Sequence, residues 1–239
     1  MTIDEVYRLV QTFANKEQRG FITPSEFNLL AKQAELELYN KRLSLIKEKS
    51  PTRRSQGIYA ENLTPELAKQ DIASFLSVSK VDLNSAGSAT VNSDYIESIF
   101  TLSGNDQSIS SNIPVEIVDA KDINQILRSS LVSPSMMYPI ALMIGSESSR
   151  GNFDINVFPE NVERVSIYSY YYDKNQPPKW SYVTVAGKPV YDPTKSREFI
   201  ISSRVHGEIV IKILEYLGVT IREADLVQYA QASELKADS

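Results

Sequence analysis

Cysteine is absent from all 239 residues. That excludes disulfides, thiolate metal sites and a cysteine nucleophile, and it suits a reducing compartment. Histidine occurs once, at His206, so there is no pair of imidazole ligands. A Ser–His mechanism built on that ring needs orienting partners that no spacing identifies, and the expected role is a surface or partly satisfied histidine. The patterns GxxxxGK[ST], GxGxxG and HExxH are all missing, and no spacing of carboxylates singles out an acid/base pair. No run approaches the ~20 apolar residues of a membrane-spanning helix. The start, Met1-Thr-Ile-Asp-Glu-Val-Tyr-Arg, lacks the apolar core of a signal peptide. These absences lead us to expect a product that is not exported by the usual route, with no membrane partner, catalytic residue, cofactor or metal.

Positive charge is missing from one long stretch. Residues 81–120 hold no Lys or Arg but carry Asp82, Asp94, Glu97, Asp106, Glu116 and Asp119. That stretch is −6 by itself against −5 for the chain, so the remainder sums to +1. The overall balance argues against a general nucleic-acid coat, which needs a basic face. The acidic stretch reads either as a solvated, loop-rich face or as a surface turned to a basic partner or to DNA in a channel. Asp82, Asp94, Glu97, Asp106 and Asp119 are the channel-or-docking candidates.

What is present is an ordinary globular composition, 42% hydrophobic and 23% charged. A chain of this length buries roughly 70% of its unfolded surface without covalent staples. Thr2 and Glu5 form a capping-box pattern ahead of Val6, Leu9, Val10 and Phe13 at helical spacing, with Gly20 as the closing cap. A second start follows in Thr23-Pro24-Ser25-Glu26, with Phe27, Leu30, Ala31, Ala34 and Leu38 on one face and Leu45 extending it. The pattern runs to Ser50, where Pro51 stops it. Thr64-Pro65-Glu66 opens a short helix. β patterning follows at Phe75–Val81, Tyr95–Leu102, Val115–Val118, Ile140–Ile144, Phe153–Val157, Val165–Tyr172 and Trp180–Thr184, with a short helix over 120–131. Val205, Ile209, Val210, Ile213, Leu214 and Leu217 predict a helix closed by Gly218, and Thr220 with Glu223 opens a last one. The expected fold is α+β: a helical hairpin over 1–50, a polar linker over 51–63, a mostly antiparallel β-rich region over 64–202, and C-terminal helices over 203–239 packing with the N-terminal ones.

Three segments invite chemistry. Asn15 to Glu26 follows the frame of a calcium loop, with Gly20 sixth, Ile22 eighth and Glu26 twelfth. Calcium needs a dense set of oxygen ligands, and Arg19 stands where the fifth position should supply one. Helix capping accounts for the same residues without metal. The alternating Tyr168, Tyr170 and Tyr172 with Trp180 could stack bases or sugars, but only Arg164, Lys174 and Lys179 are nearby. Such aromatics also anchor protein interfaces, and these four are the interface candidates. Arg53-Arg54 reads as a solvated turn in the linker.

The chain resembles virion structural proteins of crAss-like and related tailed phages of gut bacteria, the ring or adaptor proteins of the neck between portal and tail. The likeness rests on Asn15-Lys-Glu-Gln-Arg-Gly-Phe-Ile-Thr-Pro-Ser-Glu-Phe-Asn-Leu-Leu-Ala with Gln33-Ala-Glu-Leu-Glu, and on Val91-Asn-Ser-Asp94-Tyr95-Ile96. It rests also on Tyr170-Tyr-Tyr, Pro177-Pro-Lys-Trp180-Ser-Tyr182 and the run from Val205 to Ala230. Two positions before Asp94 the family usually has proline, where this chain has Asn92. The resemblance implies no catalytic residue. It implies a homo-oligomeric head–tail connector ring in the virion, assembled in the host cytoplasm, touching portal and other neck or tail proteins and passing double-stranded DNA during genome ejection. The reading from a different class is a metal- or carbohydrate-binding accessory protein of the particle, using the Gly20 loop or the Tyr/Trp surface.

Overall fold

The structure, a computed structural model, describes residues 1–16, 22–47, 65–102, 112–145, 152–185 and 187–218. The Gly20 turn, the 51–63 linker with Arg53 and Arg54, Asp106, most of the Ser103–Asn112 and Ser146–Asn152 segments and the helix expected after Thr220 lie outside the described residues. The fold is α+β, with a mostly antiparallel sheet, and divides into two compact units. One is Phe75–Tyr172, and the other joins Met1–Ser74 to Asp173–Ser239. The β unit is therefore narrower than the expected 64–202, because the strands after Tyr172 belong with the helices.

In the helical unit, α1 (Ile3–Lys16) begins with the capping box that the sequence predicts. The Thr2 N–H donates to Glu5 Oε2 at 2.8 Å and the Glu5 N–H to Thr2 Oγ1 at 3.2 Å. Each bond satisfies an amide that the first turn leaves without a helical acceptor. The device recurs at α2 (Pro24–Lys47), where the Thr23 N–H reaches Glu26 Oε2 at 2.9 Å and the Glu26 N–H reaches Thr23 Oγ1 at 3.3 Å. Phe27, Ala31, Ala34 and Leu38 are buried, and the stripe continues through Tyr39, Leu43 and Ile46 while Leu30 and Leu45 are only half-buried. A short α3 (Pro65–Asp71) packs on α2. Later in the chain α5 (His206–Tyr216) lays Ile209, Val210, Ile213 and Leu214 against α1 and α2. Gly218 ends it at φ 71°, a left-handed conformation that glycine adopts without strain.

Charged groups inside the helical unit tie these helices together. Glu35, fully buried, accepts the Ile200 and Ile201 N–H groups at 2.7 and 3.2 Å. Arg42, 1% exposed, donates from Nε to Asp71 Oδ2 at 3.0 Å and from Nη2 to Glu208. The other Asp71 oxygen accepts from Arg204 Nη2 at 2.8 Å. His206 is buried rather than at the surface, with Nδ1 2.7 Å from the Met1 carbonyl oxygen and Nε2 3.2 Å from that of Ile201. It links the starts of α1 and α5, which accounts for a lone histidine structurally.

The other unit is one seven-stranded sheet in the order β1-β7-β3-β4-β5-β6-β2. Its strands are β1 (Leu76–Asp82), β2 (Ser88–Asn92), β3 (Tyr95–Thr101), β4 (Ile113–Val118), β5 (Ile140–Gly145), β6 (Asn152–Phe158) and β7 (Arg164–Tyr170). All pairs are antiparallel except β4 with β5, and between those two the chain crosses over through α4 (Ile123–Arg128). The two outermost strands, β1 and β2, are consecutive in sequence and joined by the Leu83–Gly87 turn, so the sheet is nearly a closed barrel. Asn84 Oδ1 accepts the Ala86 and Ser88 N–H groups, both at 2.9 Å, and fixes that turn. Gly87 is at φ 70°, and a Cβ there would lie 2.5 Å from the Val157 carbonyl oxygen, so any side chain is excluded. Inside, Val91, Ile96, Ile99, Val115, Ala141, Ile155, Val157, Val162, Val165 and Ile167 form the core.

Candidate interaction surface

The predicted aromatic candidates occupy both units and are mostly covered. Tyr168 is half-buried, with the Phe100 ring edge-on at 5.5 Å. Tyr170 and Tyr172 are each 1% exposed, stacked on Tyr95 at 6.4 Å and on Phe75 at 5.6 Å. Trp180, 3% exposed in the helical unit, packs at a tilt on Tyr7, stacks with Tyr182 and Tyr191 and donates from Nε1 to Asp4 Oδ1 at 3.0 Å. Three of the four thus have no surface to offer a partner or a sugar ring. Strand alternation does not reveal this, because β7 lies between β1 and β3 and is buried on both faces.

Burial pushes the Tyr170 hydroxyl up to about 12, and the neighbouring Glu97 carboxylate adds to the rise. The unfolded phenol ionises around its ordinary value of 10.0. This stabilisation is therefore complete below pH 10 and is lost as pH climbs from 10 to about 12. Tyr170→Phe is expected to lose less stability across that window than the parent. Denaturant midpoints measured at pH 9, 10 and 11 check it, and parallel declines would contradict it.

The acidic candidates do not converge. Asp82, at the end of β1, pairs with Arg164. Asp94, before β3, accepts the Tyr172 N–H at 2.8 Å. Glu97 is half-buried on β3 beside the Tyr170 hydroxyl. Asp119 is exposed after β4, with Lys121 at 3.8 Å. All four make contacts within the sheet unit, and Asp82 and Asp119 keep 74 and 77% of their side chains exposed while Asp94 and Glu97 are half-buried. Asp106 lies outside the described residues.

The Glu26 carboxylate caps α2, and the Thr23 hydrogen bonds hold its pKa below the usual carboxylate range. That use competes with calcium ligation. Melting in calcium and in chelator is expected to give the same midpoint, because only a ligand of the native state raises it. A rise of several degrees with calcium would contradict this. Among the described residues, no group of three or more His, Asp or Glu converges as a metal site. No helix among them is long and apolar enough to cross a membrane.

The uncovered apolar surface lies outside the aromatic and acidic candidates. In the sheet unit, Ser135 and Tyr138 exchange backbone hydrogen bonds at 3.3 and 3.0 Å, so Met136 and Met137 form the tip of a tight turn. Leu131 is 93% exposed, Tyr138 79%, Met137 68% and Val132 63%. Ser129 Oγ accepts the Leu131 and Val132 N–H groups, both at 3.3 Å, and holds the chain away from the end of α4. In the helical unit, β8 (Tyr182–Val185) and β9 (Lys188–Tyr191) form an isolated two-stranded ribbon. Asn28 anchors its base, donating from Nδ2 to the Trp180 carbonyl at 3.0 Å and accepting the Trp180 N–H at 2.7 Å. The register pairs Tyr182 with Tyr191 and Val183 with Val190. One face therefore carries both tyrosines onto Trp180, and the other carries Val183, Val185, Val190 and Lys188, all exposed. The available sequence signal is apolar residues inside a Ser/Pro-rich stretch, Leu131-Val-Ser-Pro-Ser-Met-Met-Tyr138, too punctuated to form an element that could bury them.

Comparison with protein-family models gives no match, and comparison with curated proteins gives no significant similarity.

Proposed function

We propose that this chain is a structural subunit of a tailed-phage particle, working through interfaces in an oligomeric ring of the neck between portal and tail. The observation that carries the reading is the uncovered apolar surface on both units, Leu131–Tyr138 on one and the valine face of the ribbon on the other. Monomeric soluble proteins rarely expose contiguous apolar patches of this kind without a partner for them. The resemblance in the α1–α2 connection, around Asp94 and across Tyr170–Tyr182 supplies the particle and the place in it. The partners are other copies of the chain, the portal and neighbouring neck or tail proteins. Double-stranded DNA passes without specific binding, consistent with a net charge of −5 that offers no general phosphate grip. Immunogold labelling of purified particles with an antibody to this chain tests the reading. Label confined to the head–tail junction is expected; particles without label, or with label on the capsid shell or tail tip, would overturn it.

A further inference from the structure

The ribbon and the methionine turn are complementary, and we infer that the β8–β9 ribbon of one copy docks on the Leu131–Tyr138 surface of a second copy. This rests on the ring reading and names the partner and both faces of its repeating contact.

An isolated two-stranded ribbon is marginal in water, because one of its faces finds nothing to bury. Here Tyr182 and Tyr191 stack on Trp180, with Tyr182 still 48% exposed, and Val183, Val185 and Val190 on the opposite face are left 43, 56 and 46% exposed. Anchoring by Asn28 and Trp180 holds that bare face in one conformation at the base, which lowers the ordering cost of a contact. The surface it meets is also apolar and adaptable: Leu131, Val132 and two unbranched methionines, whose side chains fit irregular partners.

Charge gives the pairing its direction. Residues 174–191 carry Lys174, Lys179 and Lys188 and no carboxylate. Phe75–Tyr172 carries eleven carboxylates against five Lys and Arg, a net −6, leaving +1 for the rest of the chain. In the chain leading to the methionine turn, residues 116–128 carry Glu116, Asp119 and Asp122 against Lys121 and Arg128. The Glu116 N–H donates to the Pro139 carbonyl at 3.0 Å, which sets that residue at the foot of the turn. Lys188 meeting Lys188 disfavours ribbon against ribbon, and a ribbon with Lys188 on its exposed face and Lys174 and Lys179 ahead of it is favoured against an acidic unit. Two different surfaces on one chain make a head-to-tail contact, which closes into a ring when the rotation per step divides a full turn.

The absence of native cysteine allows a direct test on the full chain. Val185→Cys and Met137→Cys are made separately, at exposed positions, and each variant is checked against the parent by circular dichroism. Each is oxidised alone and in an equal mixture, then run on a non-reducing gel. Val190→Cys with Tyr138→Cys serves as a second pair if either first variant fails to fold. The expected result is a covalent dimer in the mixture and none from either variant alone. A dimer from Val185→Cys alone, or no dimer in any mixture, would overturn the inference. The two readings fail separately. Labelled necks without mixed disulfides would leave the ring and remove this contact, whereas mixed disulfides with unlabelled particles would do the reverse.

Discussion

Asp71→Leu is expected to destabilise the helical unit by about 3–5 kcal/mol, the cost of stripping one partner from a buried ion pair. Asp71 accepts from two arginines, and its neighbours differ in exposure. The Arg42 side chain is 1% exposed and that of Arg204 is 53% exposed. Without the Asp71 carboxylate, Arg42 stays buried with only Glu208 at hand, whereas Arg204 turns to water. Arg204→Ala should therefore cost no more than an exposed pair, about 1 kcal/mol or less. Arg42→Met combined with Asp71→Leu should recover most of the loss, because an apolar replacement removes both desolvation costs at once. Urea unfolding followed by fluorescence reads the effect, since the only tryptophan, Trp180, lies in this unit. A loss below about 1 kcal/mol for Asp71→Leu would show that water already reaches Arg42.

Trp180→Ala should cost a similar amount, about 3–5 kcal/mol for removing a large buried ring. Its consequence is more specific than a lower midpoint. The ring is the floor on which Tyr182 and Tyr191 stack, and its Nε1 holds Asp4 at the start of α1. Without it the ribbon loses the packing that fixes its base while the helices keep their own core. Amide exchange across β8 and β9 is expected to rise far more than exchange in α2 or α5. Trp180→Phe, which keeps an aromatic floor and loses only the Asp4 hydrogen bond, should retain most of the ribbon's protection. Equal loss of protection in ribbon and helices would mean that Trp180 is a general core residue, with no particular hold on the ribbon.

The helices were the most legible part of the chain because their signals are local. Thr2 with Glu5 and Thr23 with Glu26 announce both starts, and each pair makes the reciprocal bonds that the pattern implies. Six of the seven sheet strands are legible one by one, but β2 (Ser88–Asn92), with Val91 as its single buried residue, is not, and neither is strand order. Nothing in the Leu83–Gly87 turn reveals that β1 and β2 flank opposite edges of a nearly closed sheet. That order is also why both faces of β7 are buried and why Tyr170 is a core residue. Helical spacing predicts an apolar stripe on α2, although Glu35 and Arg42 lie on its buried side and take partners far along the chain. Long-range pairing of that kind leaves no periodic trace. Sequence patterning points to Tyr168, Tyr170, Tyr172 and Trp180 as interface candidates, whereas the exposed apolar groups are Leu131, Val132, Met136, Met137 and Tyr138 in a turn and valines with Tyr182 in a ribbon. Periodicity assigns such residues to a core by default, and only the three-dimensional structure shows that no core receives them.

The proposed ring assignment is tested most directly by a reconstruction of the neck of the tailed-phage particle in which this chain is proposed to assemble. It is expected to show copies of both units repeated around the particle axis between portal and tail, with the β8–β9 ribbon of each copy against Leu131–Tyr138 of the next. A neck whose density is fully accounted for by other chains, with this one absent from the purified particle, would contradict it.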